Sequence, residues 1–297
     1  MPETIGFIGL GVMGEPMCHR LHEQSGRRVI AFDLDDAPLA RARDAGMDVA
    51  ASVQGVATAD IIFTSLPDGP ALERVAADLK PHLRAGQTFV DTSTAPVALT
   101  RRLAEEFQAA GVDYADAPIA RTREAARAGT LATMVGASDE VLARIRPLLE
   151  CYATDIAHCG EVGSGQVVKI LNNMVLMQTV NALAEALTIG RRAGVDGATL
   201  FDALAEGSAD SFALRNHGMK AMLPGKFPLK AFSTAYARKD LSYALDLADE
   251  AGVDAAGART VGAALEAAAA MGLEDAYWPA LLAAIDDTLD PETPSDD

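Results

Sequence analysis

The first half of the chain alternates short apolar runs with longer amphipathic runs. The short runs are rich in β-branched and aromatic residues, as strands are: Ile5–Ile8, Val29–Phe32, Ile61–Phe63, Thr88–Val90, Tyr114–Asp116 and Leu131–Val135. Helical patterns such as Pro38–Ala45 and Ala71–Leu79 lie between them. Strands that alternate with helices at this spacing predict βαβ units around a parallel sheet.

The second half of the chain carries helical patterns almost throughout. An apolar pattern without proline runs from Gly165 to Ala193 and predicts one helix of roughly 40 Å, at about 1.5 Å per residue. We therefore predict an α/β fold. A parallel-sheet domain covers residues 1–162, the long helix joins it to an all-helical domain over residues 163–290, and an acidic tail follows over residues 291–297.

The composition limits the partners of the protein. The chain has 297 residues, and its formal net charge is −17. This charge argues against nucleic acid or an anionic membrane as a partner, because both attract clustered Lys and Arg. No apolar run reaches the roughly 18 residues that a membrane-spanning helix needs. The three cysteines form no CxxC pair, and the first residues lack the basic region of a signal peptide, so we expect a cytoplasmic protein.

A glycine motif directly follows the first predicted strand and opens a helical run. It reads Gly9-Leu10-Gly11-Val12-Met13-Gly14 and fits G-x-G-x-x-G. In a dinucleotide-binding loop the first glycine allows a tight turn, the second lets the backbone approach a pyrophosphate, and the third lets helix and strand pack closely. We predict that residues 9–14 bind a dinucleotide cofactor; the alternative is an ordinary glycine-rich turn.

An acidic residue, Asp33, ends the second predicted strand, 19 residues after Gly14. A carboxylate at this position accepts hydrogen bonds from the hydroxyls of the adenosine ribose and repels a 2′-phosphate. Asp35 and Asp36 add negative charge, and the next basic residue is Arg41. The sequence therefore predicts NAD rather than NADP as the cofactor. The alternative is that Asp33 only caps the following helix.

A lysine and two amides stand near the start of the long helix. Lys169, Asn172 and Asn173 are related by i, i+3 and i+4, which places them on one helical face. The flanking positions are apolar, so we expect this face to be partly buried, and an amine there is suited to proton transfer. The alternative is a solvated lysine with two polar neighbours.

These motifs together resemble the β-hydroxyacid dehydrogenases, which include 3-hydroxyisobutyrate dehydrogenase and tartronate semialdehyde reductase. The resemblance covers nearly the whole chain. The motifs that carry it follow one another in the family's order: Gly6–Gly14, Leu66-Pro67, Asp91-Thr92-Ser93-Thr94, Asp116-Ala117-Pro118-Ile119, Gly129-Thr130-Leu131, Gly163–Asn173 and Lys239-Asp240-Leu241.

The resemblance implies a Rossmann-like domain and a helical domain, assembled as a homodimer or homotetramer. It also implies reversible hydride transfer between nicotinamide and a short, anionic 3-hydroxy acid or its semialdehyde. Lys169 would then exchange a proton with the substrate oxygen, and Asn172 and Asn173 would hold substrate oxygen atoms. The family's cofactor contacts fall on four further residues of this sequence: Leu66, Pro67, Thr94 and Lys239.

The substrate loop departs from the family's pattern. The family commonly has Ser-Gly-Gly where this chain has Ala120-Arg121-Thr122. We predict Arg121 and Thr122 as substrate-binding residues, because a guanidinium group offers a planar fork of donors to an anion. The loop is also similar to that of sulfolactaldehyde reductases, although Leu176 stands where those enzymes have a serine. The alternative is that Arg121 is only a surface charge.

Two further classes of function remain as alternatives. Imine reductases resemble this family but usually carry Asp or Tyr at the position of Lys169. A non-catalytic, NAD-binding interaction module would have kept the fold without the chemistry, which the retained Lys169 and the acidic charge oppose. The five histidines have no metal-ligand spacing, so we expect no catalytic metal.

Overall fold

The computed structural model describes residues 3–229 and 231–289, so the predicted acidic tail lies outside the described residues. Each of the six predicted strands is confirmed to within one residue at either end. The strands are β1 (Ile5–Ile8), β2 (Val29–Phe32), β3 (Asp48–Val49), β4 (Ile61–Thr64), β5 (Thr88–Asp91), β6 (Asp113–Asp116), β7 (Ile119–Ala120), β8 (Leu131–Gly136) and β9 (Ala153–Gly160).

The described strands form one sheet in the order β3-β2-β1-β4-β5-β6-β8-β7, with β9 paired to β8. Strands β1 to β6 are parallel, and their order, 3-2-1-4-5-6, is that of a complete dinucleotide-binding Rossmann sheet. β1 lies between β2 and β4, with Ile5 opposite both Val29 and Ile61. The predicted Rossmann-like parallel sheet is therefore confirmed.

The sheet is mixed at its far edge, which the sequence analysis did not predict. β8 runs antiparallel to β6 and β7, and β9 runs parallel to β8. Only residues 121–130 connect β7 to β8. A parallel crossover needs a dozen or more residues, so this short connection makes the two strands antiparallel.

The helices before the long helix pack around the sheet. They are α1 (Gly14–Ser25), α2 (Asp36–Asp44), α3 (Val53–Val56), α4 (Gly69–Leu79), α5 (Val97–Gln108), α6 (Arg123–Ala128) and α7 (Asp139–Leu149), with a 3₁₀ turn at Lys80–His82. Side chains next to their first turns cap several of them. Asp35 accepts from the Ala37 N–H at 3.0 Å, and Asp68 accepts from the Ala71 N–H at 2.7 Å.

The sheet is covered on both faces, as the continuous apolar strands require. On one face Phe7 and Phe63 stack with their ring centres 6.1 Å apart. On the other face Phe89 packs edge-on against Phe107, with a centre separation of 4.9 Å. Alternate residues of each central strand therefore enter two separate apolar cores.

The long helix, α8, covers Ser164–Arg192, close to the predicted bounds. The remaining helices are α9 (Gly197–Glu206), α10 (Thr234–Glu250), α11 (Ala256–Ala268) and α12 (Leu282–Ile285), with π-helical segments at Leu214–Met222 and Ala269–Leu273 and a 3₁₀ turn at Trp278–Leu281. Trp278 and Phe201 are fully buried in the core of these helices. An all-helical second region is therefore confirmed.

The contacts divide the chain into two compact units between Lys169 and Ile170, inside α8. The predicted boundary at residue 162 stays a prediction. No helix of the described residues is long and apolar enough to cross a membrane. Over the same residues, no group of three or more His, Cys, Asp or Glu side chains is placed to hold a metal ion.

A buried histidine lies in the core of the helical unit. His217 is hydrogen-bonded through Nδ1 to the Tyr277 hydroxyl, and its ring centre lies 5.4 Å from that of Trp278. Its Nε2 is buried without a hydrogen-bond partner among the described residues. Burial lowers the pKa of His217 to about 4, because a charged imidazole would lose its hydration.

We expect this histidine to make the helical unit sensitive to acid. In the unfolded chain this histidine binds a proton below its ordinary pKa of about 6.5. In the folded chain it binds the proton only near pH 4. The free energy of unfolding of the wild type should therefore fall across this window. Relative to that of His217→Asn, it should decrease by about 3 kcal/mol between pH 7 and pH 4. Urea unfolding of both proteins at several pH values measures this difference. A constant difference would contradict the prediction.

Candidate active site

The predicted cofactor residues other than Lys239 lie at one edge of the sheet. The loops that leave the carboxyl ends of β1, β2, β4 and β5 carry the glycine motif, Asp33, Leu66-Pro67 and Thr94. β2 and β3 follow β1 on one side of it, whereas β4 lies on its other side. The order of the strands therefore reverses direction at β1. Ligands of open α/β sheets bind outside the strand ends at such a switch point.

The three motif glycines have different environments. A Cβ on Gly9, whose φ is +96°, would lie 2.3 Å from the Ser65 carbonyl oxygen. A Cβ on Gly14 would lie 1.9 Å from the carbonyl oxygen of Gly9. Packing therefore excludes side chains at both positions. A Cβ on Gly11 would have no described atom within 4 Å, so open space lies in front of this residue.

This open space suits a pyrophosphate. Among the described residues, the backbone N–H groups of Gly11, Val12 and Met13 have no backbone acceptor, and they precede the first turn of α1. Free N–H groups at a helix N-terminus bind anions. The residues present therefore fit the diphosphate of a dinucleotide, with residues 11–13 as its donors.

Asp33 is tied to the phosphate loop. Its Oδ2 accepts a hydrogen bond from the Leu10 N–H, and its Oδ1 accepts from the Asp35 N–H at 2.8 Å. The residue that caps α2 is Asp35, so Asp33 is not the helix cap. Each carboxylate oxygen keeps a lone pair for a ribose hydroxyl. Arg41, the first basic residue after Asp33, is already paired with Glu15.

The loops after β4 and β5 are joined by Ser93. Its hydroxyl accepts from the Leu66 N–H at 2.9 Å, and its N–H donates to Asp91 Oδ1 at 3.0 Å. Asp91 is fully buried, and burial raises its pKa to about 6. Thr94, half-buried, directly follows this junction. Leu66 is therefore bound to the loop that carries Thr94.

The first turn of α8 is bound to the same loop by Gln166, which is fully buried. Its amide NH₂ donates to the Ser93 carbonyl at 2.8 Å, and its amide oxygen accepts from the Ala95 N–H at 3.2 Å. Lys169 stands three residues later on the same helix, half-buried. This contact brings the turn that carries Lys169 to the loop that carries Thr94.

Asp116, at the end of β6, holds the start of α8. Its two oxygens accept from the Gly163 N–H at 2.6 Å and the Gln166 N–H at 2.7 Å. A Cβ on Gly165 would lie 2.3 Å from the Met134 carbonyl oxygen and 2.8 Å from Asp116 Oδ2. Burial raises the pKa of Asp116 to about 6, although these backbone donors oppose the shift. Neither Asp116 nor Gln166 was predicted as a site residue.

The predicted amide pair is divided between two environments. Asn172 is exposed, whereas Asn173 is buried and donates through Nδ2 to Asp240 Oδ2 at 2.8 Å. Lys239 forms an ion pair of 3.0 Å with the other oxygen of Asp240. Asp240 therefore joins two predicted site residues, Asn173 and Lys239. Asp240 directly follows the predicted Lys239 in the sequence, and this adjacency was the signal that could have identified Asp240.

The substrate loop keeps a glycine-like backbone. Arg121 has φ +89°, in the left-handed region that favours glycine, and it stands where the family commonly has glycine. Its guanidinium donates to the Thr130 carbonyl at 2.7 Å and pairs with Asp155 at 2.8 Å. Thr122 caps α6 by accepting from the Ala125 N–H at 3.3 Å. Both predicted substrate residues therefore also have structural partners.

Two family models divide the chain between them. Residues 4–160 match the NAD binding domain of 6-phosphogluconate dehydrogenase. Residues 163–285 match a domain described as NAD-binding of NADP-dependent 3-hydroxyisobutyrate dehydrogenase.

Individual relatives match over most of the chain. A 2-(hydroxymethyl)glutarate dehydrogenase of Eubacterium barkeri is 38% identical over 84% of this chain and 83% of its own. A 2-hydroxy-3-oxopropionate reductase of Escherichia coli is 33% identical over 82% and 84%. The structure of the Mycobacterium tuberculosis 3-hydroxyisobutyrate dehydrogenase with L-serine superimposes with a TM-score of 0.88, at 32% identity, covering 96% of this chain and 99% of that one.

A nicotinamide-binding sheet followed by a helical region that begins with a lysine-bearing helix defines a dehydrogenase, and the cofactor that fits Asp33 is NAD. More closely, the chain belongs to the β-hydroxyacid dehydrogenase family, with 3-hydroxyisobutyrate dehydrogenase among its relatives. The predicted family and enzyme class are thereby confirmed. The alternative of a non-catalytic module is not supported.

We expect Gly11→Val to weaken NADH binding at least tenfold without destabilising the fold. The added side chain would meet no protein atom, but it would occupy the space that the pyrophosphate needs. Fluorescence titration of NADH and thermal unfolding measure the two effects. Gly14→Ala is the matched comparison: its Cβ meets a carbonyl oxygen, so it should cost about 1–3 kcal/mol of stability. Unchanged NADH affinity in Gly11→Val would contradict this location of the cofactor.

Proposed function

We propose that this enzyme interconverts a 2-substituted 3-hydroxypropanoate and its semialdehyde, with Lys169 exchanging the proton. The observation that carries the proposal is the double anchor of the first turn of α8. Asp116 fixes the backbone of this turn and Gln166 binds it to the Ser93–Ala95 loop. Lys169 therefore has a defined position beside the cofactor loops.

The chemistry divides between the cofactor and the protein. NAD, when bound, supplies the hydride acceptor. The residues at 11–13 and Asp33 would hold its diphosphate and its adenosine ribose. Lys169 Nζ would accept the proton of the substrate hydroxyl during oxidation and return it to the carbonyl oxygen during reduction. Hydride addition to the carbonyl leaves a negative charge on its oxygen, and oxidation of the alcohol requires loss of the hydroxyl proton. A proton carrier beside this oxygen therefore serves both directions of the reaction.

Asn173 supports the same reaction from the next turn of α8. One N–H of its amide is fixed by Asp240 at 2.8 Å, and the ion pair of Asp240 with Lys239 fixes the carboxylate in turn. A primary amide has two N–H donors, so the second can bind a substrate oxygen. The bond to the buried Asp240 sets the orientation of this amide, which favours a positioned contact over a mobile one.

The substrates of the relatives support the substrate class. 2-(Hydroxymethyl)glutarate, 3-hydroxyisobutyrate and the reduced form of 2-hydroxy-3-oxopropionate share one fragment, a hydroxymethyl group on the carbon that bears a carboxylate. L-Serine, present in the structural relative, contains the same fragment. The compounds differ only in the second substituent of that carbon. We propose that this chain binds the shared fragment and that Arg121 selects the substituent.

Replacement of Lys169 tests the chemistry. We expect Lys169→Ala to lower kcat by about 10²–10⁴-fold, the usual contribution of a positioned acid or base, with NADH affinity changed less than twofold. NADH consumption at 340 nm with tartronate semialdehyde, methylmalonate semialdehyde and sulfolactaldehyde measures activity. Lys80→Ala, on the surface beside Glu106, is the control and should be neutral. Turnover of a cyclic imine alone would contradict the proposal and favour an imine reductase.

A pair of substrates tests the role of Arg121. If its guanidinium selects an anionic substituent, Arg121→Ala should lose at least tenfold more kcat/KM on 2-(hydroxymethyl)glutarate than on 3-hydroxyisobutyrate, about 1.4 kcal/mol of transition-state stabilisation. Arg121→Gly should show the same selectivity with higher stability, because glycine adopts φ +89° without strain. Equal losses on both substrates would mean that Arg121 only holds the loop against Asp155.

A further inference from the structure

A basic groove runs along the outer face of α1. It has a volume of about 600 Å³, within the range of small-ligand sites. It is lined by residues of α1 and of the loop before it, by Arg41 of α2, and by Arg123 and Arg127 of α6. The remaining lining residues are Val12, Glu15, Pro16, His19, Arg20 and Glu23.

The charges in this groove do not cancel. Glu15 neutralises Arg41 across two hydrogen bonds. Among the described residues Arg20, Arg123 and Arg127 have no carboxylate partner, and only Glu23 adds a second negative charge. Most of the other arginines are paired with a carboxylate, as Arg144 is with Glu3. An uncompensated arginine cluster in a chain of net charge −17 is therefore a local exception.

One of the three arginines is fixed in place. The Arg20 Nε donates to the Cys151 carbonyl at 3.2 Å. Its guanidinium also lies against Gly129, where an added Cβ would be 2.6 Å from Nη2. Gly129, with φ +73°, ends α6 in the left-handed conformation. The glycine therefore admits the guanidinium, and the remaining N–H groups of Arg20 keep a set orientation toward the groove.

The groove borders two predicted parts of the site. Val12 belongs to the phosphate loop, and Arg123 begins α6 directly after Arg121 and Thr122. A ligand that contacts Val12 and Arg123 therefore connects the phosphate loop to the substrate loop. α1 and α6 also pack against each other.

We propose that this groove is a second ligand site for a small multivalent anion, such as a phosphate ester or a polycarboxylate. Arginine forks match the oxygens of phosphate and carboxylate groups, and several positive charges require more than one negative charge in return. The cofactor diphosphate would be held by the backbone N–H groups of residues 11–13, whereas arginine side chains would hold the second anion. This inference does not depend on the substrate proposed above.

Calorimetric titration of the NAD-saturated enzyme tests the site. The probes are inorganic phosphate, pyrophosphate and citrate, at an ionic strength fixed with sodium chloride. We expect saturable binding of at least one probe, and at least tenfold weaker binding in Arg127→Gln and in Arg123→Gln. The phosphate and citrate titrations decide between a phosphate ester and a polycarboxylate.

The control is Arg74→Gln, which removes the same charge from α4. Arg74 is exposed and, within the described residues, not ion-paired, and α4 packs on the opposite face of the sheet. Binding should change less than twofold in this variant. Heats without saturation, equal weakening in Arg74→Gln, or binding seen only without NAD would each overturn the proposal. The last outcome would place the anion in the phosphate loop.

Discussion

The structure of the site depends on one buried carboxylate. Asp116 accepts two backbone hydrogen bonds from the start of α8, a helix of 29 residues whose N-terminal dipole favours a negative charge there. A Cβ at Gly136 or Gly165 would collide with this carboxylate. Because Gly136 and Gly165 have no side chains, the helix can approach the sheet. Gln166 can then bind the cofactor loop. The position of Lys169 follows from these contacts.

Much of the fold could be predicted because the decisive signals are local. Strands such as Ile5–Ile8 and Ile61–Thr64 are buried on both faces, so their sequences are continuously apolar. The mixed edge of the sheet was harder to predict. β7 has two residues, and its antiparallel partner is determined by the length of a connection rather than by any periodicity. β9 is half exposed and presents no apolar run.

The site shows the same division between local and distant signals. The glycine loop and Asp33 could be predicted because their roles depend on the turn that contains them. Gln166 and Asp240 act through partners at Ser93 and Asn173, 73 and 67 residues away, which no spacing rule connects. The interpretation of Arg121 was incomplete for the same reason, since Asp155 lies on a strand that the sequence analysis did not predict.

The left-handed backbone of Arg121 has an evolutionary consequence. A non-glycine residue in this conformation costs on the order of 1–3 kcal/mol, which the surrounding contacts must offset. Every glycine codon is one base change from an arginine codon. The loop can therefore exchange a bare backbone for a charged side chain in a single mutation, and the backbone path stays the same. Such a position can gain or lose a positive charge between lineages while the fold of the loop is unchanged.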